Sequence, residues 1–243
     1  MLDYLWADGP LLKQQSDVFR LGTDSVMLAY FVSTSDGKKR SVVDLGTGSG
    51  IIPIILAWDN PMLKIDSIDI QPEAVKLATE NIELNDLADR VNVIEGDLRC
   101  HRDFFVAGAY DLVISNPPYF PGGSGKLSDN PGIAAARAEE FCTLDDICEA
   151  AGYLTRWGGS FMLVHKPERL ADIFRGMDKA GFEPKRLRLV SHKSTSPPSL
   201  VLVEGRRGGK SSLTIEAPLV LTNEDGSETD EVRKIYRRKG WSF

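Results

Sequence analysis

Two stretches of this sequence place reactive or ligand-binding residue types at telling intervals. The first is Asp44-Leu45-Gly46-Thr47-Gly48-Ser49-Gly50, three glycines at alternate positions behind a carboxylate. Glycines permit tight backbone angles and let a ligand approach the chain itself. A helix that follows such a loop presents free N–H groups to an anionic group. Asp69 comes about 20 residues later, the position that reaches ribose hydroxyls in nucleotide-binding α/β folds. Asp97 is a third acid, placed after the next apolar run. A dinucleotide fingerprint, G-x-G-x-x-G, would need glycine at position 51, where Ile51 stands. The spacing G-x-G-x-G behind an acid fits an adenosyl ligand without a pyrophosphate. Each part also has a bland use, since glycines make turns and Asp69 could cap the next helix. Their joint occurrence favours the ligand.

The second stretch is Asn116-Pro117-Pro118-Tyr119, directly after the apolar run YDLVIS. Two prolines remove N–H donors and fix φ, which holds the carbonyls there as acceptors. The Asn116 side-chain oxygen is another acceptor. Two acceptors side by side suit an –NH2 group, and Tyr119 offers a flat face on which a planar base or amide could stack. Asn-Pro and Pro-Pro are also ordinary turn formers. Their place after that strand and that glycine loop points to chemistry.

The elements that must position these residues alternate. Strands are expected at Val42–Leu45, Lys64–Ile70, Val91–Glu95, Tyr110–Ser115, Ser160–His165, Arg186–Val190 and Leu200–Glu204. Helices are expected at Ser25–Phe31, Ile51–Trp58, Pro72–Asn85, Thr143–Trp157 and Glu168–Gly181. Ala74, Leu77, Ala78 and Ile82 recur at helical spacing. Thr143 and Asp146 form a capping box, with Gly158 as the expected stop. Strands separated by helices imply a mainly parallel sheet covered on both faces, doubly wound through right-handed crossovers. The last two strands have no helix between them, so an antiparallel pair should close the sheet. The tail reads as a strand or hairpin over Leu213–Thr222, then a basic helix over Thr229–Lys239.

The order and spacing of these motifs from Ser41 to Glu204 resemble the class I S-adenosylmethionine-dependent methyltransferases, in the amino-group branch that carries NPPY. Upstream, Asp17-Val18-Phe19-Arg20-Leu21-Gly22-Thr23-Asp24 is similar to the N-terminal segment of the tRNA1(Val) adenine-N6 methyltransferase family. The resemblance implies an α/β, doubly wound, Rossmann-like sheet of seven strands with one antiparallel. It implies S-adenosylmethionine held at Asp44, Gly46, Gly48, Gly50, Asp69 with Ile70, and Asp97 with Leu98. Thr23 and Asp24 would lie near the methionine end of the cofactor, unless they only cap the first helix. Asn116 and Pro117 would hold the amino group of an adenosine in tRNA near the anticodon, with Tyr119 beside it. The chain then divides into a cap segment (1–40), a core (41–205) and a C-terminal extension (206–243) of a single methyltransferase domain.

Composition narrows the alternatives. Lys and Arg number 29 against 35 Asp and Glu, and the net charge of −6 argues against a general nucleic-acid coat. The basic residues are nevertheless segregated. Arg186, Arg188, Lys193, Arg206 and Arg207 are candidates for an RNA track, with Glu204 the one acid from position 185 to 210. The longest apolar run, Ile51–Trp58, is far short of the roughly 20 residues a bilayer needs. No basic segment precedes an apolar one at the N-terminus, and three scattered cysteines suggest neither a disulfide framework nor a zinc site. His101, His165 and His192 form no ligand pattern, so no metal is expected, and a reducing cytoplasm is the default. Two other functions compete. One is methylation of a glutamine amide in release factors, whose –NH2 presents the same hydrogens. The other is a cofactor-binding module without catalysis, against which an intact NPPY argues.

Overall fold

The computed structural model describes residues 2–13, 22–35, 40–118 and 142–237. The chain opens with a hairpin, β1 (Leu2–Tyr4) and β2 (Leu11–Lys13), then helix α1 (Thr23–Ser33). Alternation follows: β3 (Ser41–Leu45), α2 (Ile51–Asp59), β4 (Lys64–Asp69), α3 (Pro72–Leu84), β5 (Val91–Glu95), the short α4 (His101–Phe104) and β6 (Tyr110–Ser115). Next come α5 (Leu144–Leu154), β7 (Thr155–His165), α6 (Leu170–Lys179), β8 (Phe182–Ser191) and β9 (Pro198–Arg207). Two-residue strands β10 (Thr214–Ile215) and β11 (Leu219–Val220) and helix α7 (Asp230–Ile235) complete it.

The long strands lie in the order β8-β9-β7-β6-β3-β4-β5. Of these seven, only β9 runs antiparallel to its neighbours, as the resemblance implies. β10 and β11 add to the outer edge of β8, each parallel to it, so the tail is not a hairpin. Successive strand residues point to opposite faces. Val42, Leu112, Ile114, Met162 and Val164 face a core shared with α1 and α2. Val43, Leu45, Val113, Phe161 and Leu163 face a second core built with α5 and α6. Burial on both faces is why these strands read as continuous apolar runs.

The helices follow from the same burial. α1 has no side-chain cap at Gly22. Its Met27, Leu28 and Phe31 are fully buried. Each buried side chain of this size contributes about 1.5–3 kcal/mol, ample to dock a helix without a cap. The capping box at Thr143 forms as expected, with reciprocal bonds between Thr143 and Asp146.

The helix expected to run from Thr143 to Trp157 ends instead at Leu154, and β7 begins at Thr155. Thr155 pairs with Tyr110, and the next pair is Ser160 with Leu112. The intervening residues form a bulge, and Gly158 (φ 76°) sits in it. A glycine with positive φ serves a helix stop or a bulge equally, so its presence alone misplaces the boundary. The strand pair β8–β9 is also longer than expected at both ends, and the helix expected from Glu168 starts at Leu170, after a 3-10 turn over Pro167–Arg169.

Candidate functional site

The sheet order reverses between β3 and β6: the chain leaves β3 toward β4 and β5, and leaves β6 toward β7. Loops that diverge at such a point open a crevice beyond the carboxyl ends of the strands. Leu45 pairs with Ile68 on one side and Ser115 on the other. Gly46, Asp69 and Asn116 therefore each follow a residue of one aligned row, and the two stretches singled out in the sequence meet at this crevice.

The glycine loop is pinned from β4. Gly46 and Thr47 donate their N–H groups to the Ile68 carbonyl at 2.9 and 3.1 Å. Gly48 N–H donates to Asp69 Oδ2 at 2.8 Å, and Gln71 N–H donates to Asp69 Oδ1 at 3.0 Å. Each carboxylate oxygen keeps a further lone pair for a ligand hydroxyl. Burial raises the Asp69 pKa, and the N–H groups of Gln71, Gly48 and Ile70 oppose the rise. Gly48 has φ 58°, and a Cβ added there would meet no atom within 4 Å, so the loop borders open space. Gly50 (φ 81°) differs, since a Cβ would come within 3.2 Å of Ala78 on α3. It is glycine for close helix packing.

Asp44 has no solvent exposure, and neither of its carboxylate oxygens has a hydrogen-bond partner. The Thr47 hydroxyl is similarly unsatisfied. Burial pushes the Asp44 carboxyl up to about 7, against a lowering influence from Thr47 and with a further rise from Asp69. Buried polar atoms without partners are rare in native proteins. A ligand that brings hydrogen-bond donors satisfies them. Open space beside Gly48, a buried acceptor pair at Asp44 and the anchored Asp69 carboxylate together fit an amino-acid-bearing adenosyl group.

The third acid stands differently. Asp97 caps a 3-10 turn, accepting from Arg99 N–H at 2.9 Å, and its oxygens also take the Arg99 guanidinium at 2.5–3.0 Å. That guanidinium holds its carboxyl below the usual range. Leu98 packs against the second core, while Ile70 is exposed just beyond β4.

At the end of β6, Ser115 Oγ donates to the Leu45 carbonyl at 2.9 Å, tying the two central strands together. Asn116 Nδ2 donates to Ser25 Oγ at 2.9 Å. Thr23 and Asp24 occupy the first turn of α1, next to Ser25, so the N-terminus of α1 is carried to the crevice. Neither makes the side-chain cap that was the alternative reading; the N-cap is Gly22. Pro117 is buried. Tyr119 lies outside the described residues, as does the segment Asp17–Leu21. His165 is buried at the end of β7, its Nδ1 accepting from Lys166 N–H at 2.7 Å. Burial pushes it down to about 4, so its imidazole is neutral at pH 7.

The five basic candidates do not gather. Arg186 pairs with Glu204 at 3.3 Å and Glu216 at 2.8 Å and lies over the Phe31 ring. Arg188 pairs with Glu231 at 2.8 Å and donates to the Ala217 carbonyl. These two arginines fasten the C-terminal extension to the sheet. Arg207 donates to the carbonyls of Gly152 and Thr155. Arg206 pairs with Ser160, which aligns with Leu112 and through it with Val42. That row lies about 10 Å, three strand residues, back from the crevice. Lys193 follows the carboxyl end of β8, on the crevice side, and donates to the Glu224 carbonyl.

Two residues with evident roles were not singled out in the sequence. Ser25 directly follows the stretch Asp17–Asp24, but its residue type alone marked no role. Asn81, fully buried on α3, donates to the Ser49 carbonyl at 3.0 Å and accepts from Lys13 N–H at 2.7 Å. It ties the N-terminal hairpin to the glycine loop. A polar residue on the apolar face of α3 was the available signal. Among the described residues no three His, Cys, Asp or Glu side chains gather as a metal site, and no helix is long and apolar enough to cross a membrane.

Comparison with known proteins agrees with this geometry. Residues 15–177 match the family described as methyltransferase small domain. A tRNA1(Val) (adenine(37)-N6)-methyltransferase of Tolumonas auensis is 31% identical over 90% of this chain and 89% of its own length. A protein of the same description from Trichodesmium erythraeum is 28% identical over 84% of this chain and 86% of its own. Among solved structures, a predicted O-methyltransferase from Agrobacterium tumefaciens superposes with a TM-score of 0.71 at 21% identity, covering 88% of this chain and 96% of that one.

Proposed function

The chain belongs to the methyltransferase small domain family, and on that footing we propose that it methylates N6 of an adenosine in tRNA, at position 37 as its relatives' names specify. The observation that carries the reading is the row Ile68–Leu45–Ser115. It sets an amino-group acceptor, Asn116, beside the loop and acids that fit an adenosyl cofactor. S-adenosylmethionine supplies a methyl group already activated as a sulfonium when bound.

The protein's own contribution is then position. Asp69 holds ribose hydroxyls, Asp44 and the glycine loop the remainder of the cofactor, with Thr23 and Asp24 near its methionine end. Asp97, Leu98 and Ile70 line the adenine side. An adenine amino nitrogen is a poor nucleophile because its lone pair is delocalised into the ring. Asn116 Oδ1 and the Pro117 carbonyl accept its two N–H bonds and favour a pyramidal nitrogen whose lone pair is free to attack. Tyr119 stacks on the base, which must leave its own stack to enter. Most of the rate gain comes from this alignment. His165, buried with its pKa pushed down to about 4 and its Nδ1 already accepting from Lys166 N–H, is a poor base, and the product ammonium loses its proton to water.

Within this proposal the chain acts as one catalytic domain, with residues 1–40 as cap and 206–243 as extension, and its tRNA substrate would place it in the cytoplasm. Lys193 is the basic candidate suited to a phosphate contact. Mass spectrometry of tRNA nucleosides from cells with and without the gene tests the reading. N6-methyladenosine beside the anticodon should disappear with the gene, and its persistence would contradict the proposal.

A further inference from the structure

We infer that Ser25 is a positioning residue for the methyl acceptor, holding the side-chain amide of Asn116 in place at the crevice through a hydrogen bond. The inference rests on the role proposed above for Asn116. An asparagine amide is planar, with an acceptor at one end and donors at the other. Only the acceptor end can receive an amino N–H. If the group turned over, Nδ2 would face the substrate's own donors, and the two would repel.

In the structure Nδ2 donates to Ser25 Oγ at 2.9 Å, and this contact fixes where the amide lies. The two residues are 91 positions apart, so no local turn explains the contact. Ser25 is held rigidly. It lies in the first turn of α1, and the next residues, Val26, Met27, Leu28 and Ala29, are all buried. The hydroxyl is thus presented by a docked helix, and Asn116 is held by the end of a central strand followed by two prolines. The same turn of α1 carries Thr23 and Asp24. A single element thereby holds the acceptor group beside the residues read as cofactor contacts.

The test is steady-state kinetics with bulk tRNA and S-adenosylmethionine for Ser25→Ala, Ser25→Thr and Asn116→Ala, and for Ser25→Ala combined with Asn116→Ala. Ser25→Ala should lower kcat by about tenfold or more, as small misplacements of an aligned group do, with KM for the cofactor within about twofold. Ser25→Thr, which keeps the hydroxyl, should restore most of the rate. In the Asn116→Ala background, Ser25→Ala should cost nothing further. Calorimetric cofactor binding by each variant confirms that it is folded. An unchanged kcat in Ser25→Ala, while Asn116→Ala is impaired, overturns the inference and leaves the role of Asn116 standing. So does a multiplicative loss in the double variant, or a kcat lost through failure to bind cofactor. Full activity in Asn116→Ala instead overturns the underlying reading.

Discussion

Asp69 accepts a 2.8 Å hydrogen bond from the Gly48 amide, so the acid read as a ribose contact is also the pin that holds the glycine loop. Removing it should cost the ligand twice, through a lost charge-assisted contact and a loosened loop. Asp69→Ala should weaken S-adenosylmethionine binding by about 1.5–3 kcal/mol, the usual worth of a hydrogen bond to a charged group. Titration calorimetry measures this directly, and unchanged affinity would remove Asp69 from the cofactor site.

Asp44 makes stability depend on pH in an unusual direction. Its carboxyl titrates near 3.8 when unfolded and about 7 when folded. Between those values the folded chain holds a proton that the unfolded chain has released. The stabilisation is complete below the lower value and lost as pH rises through the upper one. About three units correspond to roughly 4 kcal/mol. Asp44→Asn, uncharged at every pH, should therefore match the ligand-free parent near pH 4 and exceed its melting temperature at pH 8. A difference that does not grow with pH would show that Asp44 is not buried as a carboxylate.

Arg186 neutralises Glu204, whose side chain is only 3% exposed. Removing one partner of a buried pair strands the other charge. Arg186→Ala should destabilise the fold by about 3–5 kcal/mol in chemical denaturation. A loss below 1 kcal/mol would mean that Glu216 and the Phe31 ring, not Glu204, account for its position.

The two ends of the sheet should respond differently to charge reversal. Lys193→Glu should raise KM for tRNA and flatten its dependence on salt, by a slope of roughly 0.7 per single-strand phosphate contact. Arg206→Glu, at the far end of the same sheet, should do neither. Equal effects from both would place the RNA along the sheet edge rather than across the crevice.

The core of this molecule was legible in its sequence for physical reasons. Strands buried on both faces are apolar runs, so Tyr110–Ser115 could be bounded to the residue. Loops that bend at glycine or proline announce themselves, and both such loops fall at the switch point of the sheet. What local pattern does not carry is partnership. Arg186 and Arg188 read as candidates for an RNA track because Glu216 and Glu231, their partners, lie beyond the strand that follows. Ser25 is an ordinary helix residue until Asn116 is folded against it. The hairpin β1–β2 has strands of three residues each and leans on the amides of Asn81 and Asn85, so no periodicity could reveal it.

The central claim is that this protein transfers a methyl group to an adenine amino group in RNA. Purified enzyme, S-adenosylmethionine labelled in its methyl group, and either bulk tRNA or release factor as acceptor test it most directly. Label should enter tRNA and be recovered as N6-methyladenosine after digestion. Asn116→Ala, with its cofactor affinity intact, should reduce that transfer by about 100-fold or more, as loss of an acceptor positioned for the transition state does. Label in a glutamine of the release factor, with none in tRNA, would contradict the account.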